Sequence, residues 1–251
     1  MKKIAISNQK GGVGKTTTTI NLAASLGMLG KRVLMIDMDP QGNTTTGLGV
    51  NKGAIDTCVY DVLLGKQSLE DVIYPTEFKN ISLVPAKIHL SGIDIELAQL
   101  PGRELIMKKE VLKIEHNYDY IIFDCPPSLG LLTLNALAAA KTVMVPIQAE
   151  YYALEGVSQL LNTIRLAQRH LNRNLKIEGI IMTMTVNTNL SHEVEEEVRS
   201  LFKDKVYRTT ISRGVRLSEA PSHGLPISYY DPKSKGAEEY MSLAKEVIAS
   251  E

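Results

Sequence analysis

The run Lys10-Gly11-Gly12-Val13-Gly14-Lys15-Thr16-Thr17 constrains this chain more than any other. It follows a short β-branched segment, Lys3–Ser7, and opens a helical pattern over Thr16–Leu29. Glycines in such a turn let the backbone curl until several N–H groups point at one anion. A helix starting near Lys15 adds the positive end of its dipole. Lys15 brings a point charge suited to β- and γ-phosphates, and the Thr16 hydroxyl suits a Mg²⁺ ligand. The spacing is close to the P-loop pattern, and strand before, helix after is the context that pattern needs.

The remaining chain alternates in the same way. Strands are expected at Arg32–Asp37, Ile81–Pro85, Tyr120–Asp124, Thr142–Ile147, Ile177–Met184 and Tyr207–Ile211. Helical patterns fill Arg103–His116, Leu129–Ala140, Leu154–His170, Ser191–Phe202 and Gly236–Ala249. Several strand runs are almost continuously apolar, as when helices cover both faces of a parallel sheet. The expectation is an α/β fold: a doubly wound, mostly parallel sheet flanked by helices, with its ligand crevice at the carboxyl ends of the strands. No repeat, low-complexity tract or Pro/Ser-rich linker divides residues 1–251, so a single P-loop domain is expected. Gly42–Lys79 reads as loop-rich with short helices, a candidate mobile flap.

Two strands end in carboxylates, Asp37-Met38-Asp39-Pro40 and Asp124-Cys125-Pro126-Pro127. Acids at the ends of parallel strands face the ligand crevice, where a hydrated Mg²⁺ would sit. Asp124 follows four apolar residues and points to that role; Asp37 is equally readable as a cap or a solvated loop acid. The two cysteines, Cys58 and Cys125, have no metal-ligand spacing and form no disulfide framework. Lys+Arg and Asp+Glu are both 28, which excludes a uniformly basic coat but leaves room for a local patch. The apolar run Ile4–Ile6 is too short for a signal peptide, and Asn135 and Lys141 interrupt the most apolar window, Leu129–Ile147. A soluble, cytoplasmic protein is expected.

At these residues the chain resembles the ParA/Soj family of partition ATPases, within the wider group that includes MinD. The resemblance spans the whole chain. It rests on the extra Lys10 of a deviant Walker A turn and on Asp39-Pro40-Gln41-Gly42-Asn43, Asp124-Cys125-Pro126-Pro127-Ser128, Val215–Ser222 and Tyr230–Ala237. It implies a slow, Mg-dependent ATPase with ATP and Mg²⁺ as cofactors. Lys10, Gly11, Gly12, Val13, Gly14, Lys15, Thr16 and Thr17 would cradle the nucleotide, and Thr16, Asp39 and Asp124 would serve the metal. Lys10, Lys15 and Asp39 would carry catalysis, with Lys10 reaching across an ATP-bound homodimer to the partner's phosphates, an arginine-finger-like role. Gly11 would lie where the two turns approach closest. Asp39 would position the attacking water, because an ordinary Asp, with a pKa near ~3.9, is a weak base. Relatives usually place Pro and Asn against adenine where this chain has Ser212 and Gly214, so base recognition would fall more on backbone groups.

The same resemblance implies non-specific binding of double-stranded DNA by the dimer, a ParB/Spo0J-like partner that stimulates hydrolysis, and a nucleoid-associated location. From Arg165 to Arg216 ten basic residues face six acids, a local surplus of four in a neutral chain. Arg208, Arg213 and Arg216 are the candidate DNA contacts. Phosphate neutralisation supplies most non-specific affinity, and dimerisation doubles the contacts. Many relatives carry an arginine before Thr-Asn-Leu; here Asn187 stands there. A MinD-like membrane regulator of division is the alternative. It would need a basic amphipathic C-terminal helix, whereas Lys245–Glu251 intersperses acids, so no membrane binding is expected. A nitrogenase-iron-protein-like reductase would need cluster cysteines at a dimer interface, and an amide ligase would need a substrate motif that the sequence does not display.

Overall fold

The computed structural model describes residues 1–150 and 153–250, with the backbone alone for 153–159. Tyr151, Tyr152 and Glu251, the last residue of the expected domain, lie outside them. Among the described residues the strands are β1 (Lys2–Ile6), β2 (Val33–Asp37), β3 (Tyr74–Pro75), β4 (Ile81–Val84), β5 (Tyr120–Asp124), β6 (Thr142–Gln148), β7 (Lys176–Thr185) and β8 (Val206–Ser212). They form one sheet in the order β3-β4-β2-β5-β1-β6-β7-β8. Every pairing is parallel except β3 with β4. The doubly wound parallel sheet legible in the sequence is the one that forms.

The helices are α1 (Lys15–Met28), α2 (Asn43–Gly47), α3 (Val59–Leu63), α4 (Ile93–Glu96), α5 (Ile106–Ile114), α6 (Leu131–Ala139), α7 (Ala153–His170), α8 (Asn189–Phe202), α9 (Val215–Glu219), α10 (Ile227–Tyr230) and α11 (Lys235–Ala249). They cover both faces of the sheet, and strand alternation decides what each face meets. Ile4, Ile6, Val33, Met35, Tyr120 and Ile122 point to the side of α1 and α11. Ala5, Leu34, Ile36, Ile121 and Phe123 point to the side of α3, α5, α6 and α7. Both faces are therefore apolar, and β2 and β5 are buried at all five positions. Each such Ile, Leu, Val or Phe side chain contributes roughly 1.5–3 kcal/mol on burial, so two faces of them outweigh any local propensity.

Gly42–Lys79 is not a flap. It does contain short helices, but Val59, Val62, Leu63, Leu69 and Val72 are buried in the core on the α5–α6 side, and Phe78 is buried on the other. The Val59 N–H donates to the Pro85 carbonyl at 2.9 Å, anchoring α3 to the end of β4. Apolar residues spread among loop formers hide this packing from a periodicity search, because three-residue to five-residue helices never complete a stripe.

The chain leaves β1 for β2 on one side and later returns to place β6 on the other, so the topological switch lies beside β1. Its crevice opens at the carboxyl ends of β1, β2 and β5, where Ile6 and Asp37 are both register partners of Asp124. That is where doubly wound sheets bind ligands. α1 is seated against the sheet closely enough that Gly27 has no room for a methyl group. A Cβ there would lie 2.4 Å from the Lys79 carbonyl oxygen and 3.1 Å from Ile81. Gly27→Ala gains about 1 kcal/mol of helix propensity, but the backbone clash must be relieved at about 1–3 kcal/mol. We expect a net loss of stability, read as a lower urea midpoint at unchanged slope; a raised midpoint would contradict the close seating.

Candidate functional site

The turn from β1 into α1 builds the centre of the crevice. Gly12 and Gly14 have φ of +76° and +85°, in the left-handed region that favours glycine. Neither is there for lack of space, since a Cβ on Gly12 would meet nothing within 4 Å. Conformation alone demands them. Asn8 splints the turn: its amide donates to the Pro146 carbonyl on β6 at 2.7 Å and its Oδ1 accepts from the Lys10 N–H at 3.1 Å. From β7, the Thr183 hydroxyl donates to the Val13 carbonyl at 2.9 Å. The N–H groups of 11–14 reach no acceptor among the described residues, and Gly14 caps α1 with no side-chain bond and no acid in the first turn. Four converging, unspent donors at a helix start fit an anion.

Four threonines, Thr16–Thr19, make a poor helix start by propensity. Their hydroxyls explain them. Thr16 donates to Asp124 Oδ2 at 2.7 Å, and Thr19 to Asp124 Oδ1 at 3.3 Å. Thr18 meets the Tyr240 hydroxyl of α11 at 3.2 Å. Thr17 faces a cavity beside the turn. Asp124, fully buried, also accepts from Thr44 of α2 at 2.7 Å. Burial drives its pKa up to about 6, against the pull of the Thr44 and Thr16 hydroxyls.

Asp37, its register partner, is pushed up to about 7 by burial and by the Asp124 charge. Asp37 is spent on structure. Its oxygens accept from the Thr45 N–H at 2.9 Å, the Thr45 hydroxyl at 2.7 Å and the Asp39 N–H at 3.2 Å, fixing α2 to the strand end. Asp39 is mostly buried and accepts from the Gln41 N–H at 2.9 Å through Oδ1, while Oδ2 has no hydrogen-bond donor among the described residues.

The two lysines of the turn diverge. Lys15 is buried, and its ammonium donates to the Lys10 carbonyl at 3.1 Å. Burial lowers its pKa, opposed by the Asp124 and Asp39 carboxylates. Lys10 instead pairs with Glu150 at 2.9 Å, its own side chain partly exposed and that of Glu150 exposed. A methyl group on Gly11 would meet nothing within 4 Å, and its φ is not positive, so nothing within this subunit explains the glycine. Among the described residues no cluster of three His, Cys, Asp or Glu side chains can cage a metal. The oxygens of Thr16, Thr44 and Asp124 nonetheless gather at one point beside Lys15. That is the sparse oxygen set that Mg²⁺ takes when phosphates complete its shell.

The cavity beside the turn, of 270 Å³, is lined by Gly14, Thr17, Ser212, Gly214, Leu217 and Tyr240, among others. Ser212 and Gly214, expected around a base, are thus brought to the phosphate turn. Ser212 is held by Glu239 of α11, which accepts from its N–H at 2.9 Å and its hydroxyl at 2.6 Å. Met184, which also lines the cavity, has φ +52°, a costly conformation for a residue with a side chain. Sequence reasoning missed Asn8, Thr44, Thr183 and Met184. The hydroxyl run Thr44-Thr45-Thr46 directly after Asp39–Asn43 was the one available signal.

The three candidate DNA contacts do not form one cluster. Arg213 and Arg216 border a common cavity beside the site, whereas Arg208 lies on β8 with Lys205 and Glu246. Arg216 is paired with Glu219 at 3.0 Å and more loosely with Asp231 at 3.8 Å. Among the described residues no acid pairs with the guanidinium of Arg208 or Arg213, although Glu246 accepts from the Arg208 N–H at 2.9 Å. Cys58 and Cys125 are buried and unpaired, and burial raises both thiols. No helix of the described residues is long and apolar enough to cross a membrane.

Residues 1–177 match the AAA domain family. The chain is 58% identical over 250 residues to the sporulation initiation inhibitor protein Soj of Bacillus subtilis, covering 99% of each chain. It is 52% identical to the chromosome partitioning protein ParA of Myxococcus xanthus, covering 98% of this chain and 87% of that one. Among solved structures, cobyrinic acid a,c-diamide synthase from Mycobacterium smegmatis with a bound ATP analog and magnesium superposes with a TM-score of 0.86. It is 37% identical, over 98% of this chain and 93% of that one.

The raised carboxyls have a consequence for stability. Their folded values, about 6 for Asp124 and about 7 for Asp37, exceed the unfolded value near ~3.9. The folded chain therefore binds more protons than the unfolded one between about pH 4 and pH 7, and stability falls as pH rises through that window. Asp37→Asn removes one of the two charges. We expect the variant to be less stable at about pH 5 but to lose less than the parent between about pH 5 and pH 7.5 in urea denaturation. An identical or steeper loss would contradict the coupled burial.

Proposed function

The chain belongs to the Soj/ParA family of chromosome-partitioning ATPases, and from that premise we propose that it is a Mg-ATP-driven switch between monomer and DNA-bound dimer. The observation that carries this reading is the divergence of Lys10 and Lys15. Lys15 sits inside the cradle, beside Asp124 and Asp39, where it serves the phosphates of its own subunit. Lys10 stands at the rim, held only by an exposed pair with Glu150, and such pairs are worth at most about 1 kcal/mol. It is free to exchange that partner for a phosphate on a second copy. Gly11, unexplained within one subunit, is the point where a second turn has room to approach.

In this reading the N–H groups of the turn hold the triphosphate, and Thr16 and Asp124 hold Mg²⁺, which supplies charge neutralisation on the phosphates. Thr44 helps to orient the Asp124 carboxylate by donating to Oδ2, the oxygen that also accepts from Thr16. Asp39 positions a water. Ser212, Gly214 and Met184 border the base, with Glu239 fixing the strand end from which Ser212 projects.

The DNA-bound form rests on Arg213 and Arg216 near the site and Arg208 further along β8. Arg208 and Arg213 carry no ion pair among the described residues, whereas Arg216 must share its charge with Glu219. Two such sets in a dimer give the avidity that a monomer lacks. A ParB/Spo0J-like partner would speed hydrolysis and release the DNA. Among relatives, one named a diamide synthase shares the fold at 37% identity, while the Soj and ParA relatives reach 58% and 52%. A lipid-lying role is disfavoured by α11, whose apolar residues Tyr240, Leu243, Ala244 and Val247 are buried in the core.

The test is binding of a random-sequence duplex by the purified protein with ATP, with ADP and without nucleotide, across a salt series. We expect binding with ATP that weakens steeply with salt, little binding otherwise, and a loss in Arg213→Ala that leaves ATP turnover in place. Binding that ignores the nucleotide would refute the switch.

A further inference from the structure

A cavity of 690 Å³ at the other end of the sheet has no place in the proposed function. It opens at the amino-terminal ends of β1, β6 and β7, beyond the whole strand length from the phosphate turn, roughly 13 Å for the five residues of β1. Five lysines line it: Lys2, Lys3, Lys108, Lys141 and Lys176. The one acid in its wall is Glu178.

The ladder itself forces the lysines together. The Lys141 N–H donates to the Lys3 carbonyl at 2.8 Å, and the Lys176 N–H donates to the Lys141 carbonyl at 3.1 Å. Three lysines thus lie at the same end of three neighbouring segments, with Lys176 in register with Thr142, the residue after Lys141. Two of the five are compensated: Lys2 by Glu178 at 2.8 Å and Lys3 by Glu115. Among the described residues, Lys108, Lys141 and Lys176 have no acid within ion-pair distance, although Lys141 donates to the Met1 carbonyl at 3.2 Å.

The rest of the wall also favours an anion. The C-terminal carbonyls of α6 would normally repel one. The Asn172 amide instead covers those of Leu137, Ala138 and Ala140, at 3.0, 3.3 and 2.7 Å. A concave wall that carries five lysines and one acid differs from a flat solvated face. Lysines, as point charges, suit phosphate clusters better than the planar fork of a carboxylate.

We propose that this cavity binds a compact soluble anion carrying two or more phosphate groups, at a site separate from the nucleotide turn. The concave shape favours a small molecule over a flat lipid surface or a duplex.

The probe is inorganic tripolyphosphate, added to protein already saturated with Mg-ADP so that the turn is filled. Calorimetry should detect binding in the parent and in Arg213→Ala. Lys141→Ala and Lys176→Ala should each weaken it about tenfold, the worth of a charge-assisted hydrogen bond, and the double variant should abolish it. Amide shifts should appear at Thr142 and Lys176 and not at Gly12–Thr16. Four results would overturn the proposal. These are absence of binding, binding unchanged in the double variant, shifts confined to the turn, and retention on anionic phosphatidylglycerol vesicles or duplex DNA with none of the soluble anion. ADP affinity of the double variant, unchanged from the parent, checks that it is folded.

Discussion

Two left-handed glycines reverse the chain from β1 into α1, and the crevice depends on that reversal. Gly12 and Gly14 leave four N–H groups without acceptors among the described residues at the start of a helix. Such a concentration of unspent donors has to be matched from outside the chain. Around it the protein arranges the opposite sign under strict control: Asp124 buried and bridled by threonine hydroxyls, Asp37 withdrawn into structure, Lys15 folded inward. Burial raises both Asp37 and Asp124 above the ordinary carboxyl range, so a cation bound beside them would favour their ionised form.

The sheet and the turn were legible because their signals are strong and local. Continuous apolar runs bounded by Asp37 and Asp124 locate the strand ends, and the glycine–lysine–threonine spacing locates the cradle. The two-residue β3 left no period to read, since it pairs antiparallel at the edge through Tyr74 and Pro75 alone. Val59, Val62 and Leu69 looked like loop residues because their helices are too short for a stripe, yet the core needs them. Thr44, Thr183 and Met184 were invisible for a different reason. Each acts through a partner far away in sequence, Asp124, Val13 and Gly14 respectively. Arg216 was legible as a cation but not as a paired one, because Asp231 reaches it only through the fold.

Fold alone does not choose among the chemistries this architecture carries. A synthase and partition proteins stand among the relatives, and they share the fold. In the function proposed for this chain the deciding residues lie at the rim, where Lys10 pairs with Glu150 and a methyl group on Gly11 would meet nothing within 4 Å. The cysteines, both buried with raised thiols, fit no cluster chemistry at such a rim.

The proposal that triphosphate joins two copies through Lys10 is tested most directly by sedimentation velocity with saturating ATP and magnesium. The parent protein and Lys10→Ala would be compared, each first shown by calorimetry to bind ATP. The parent should sediment as a dimer of the 27.6 kDa chain and return to monomer with ADP, while the variant stays monomeric. A parent that remains monomeric with ATP bound, or a variant that dimerises as well as the parent, would contradict it.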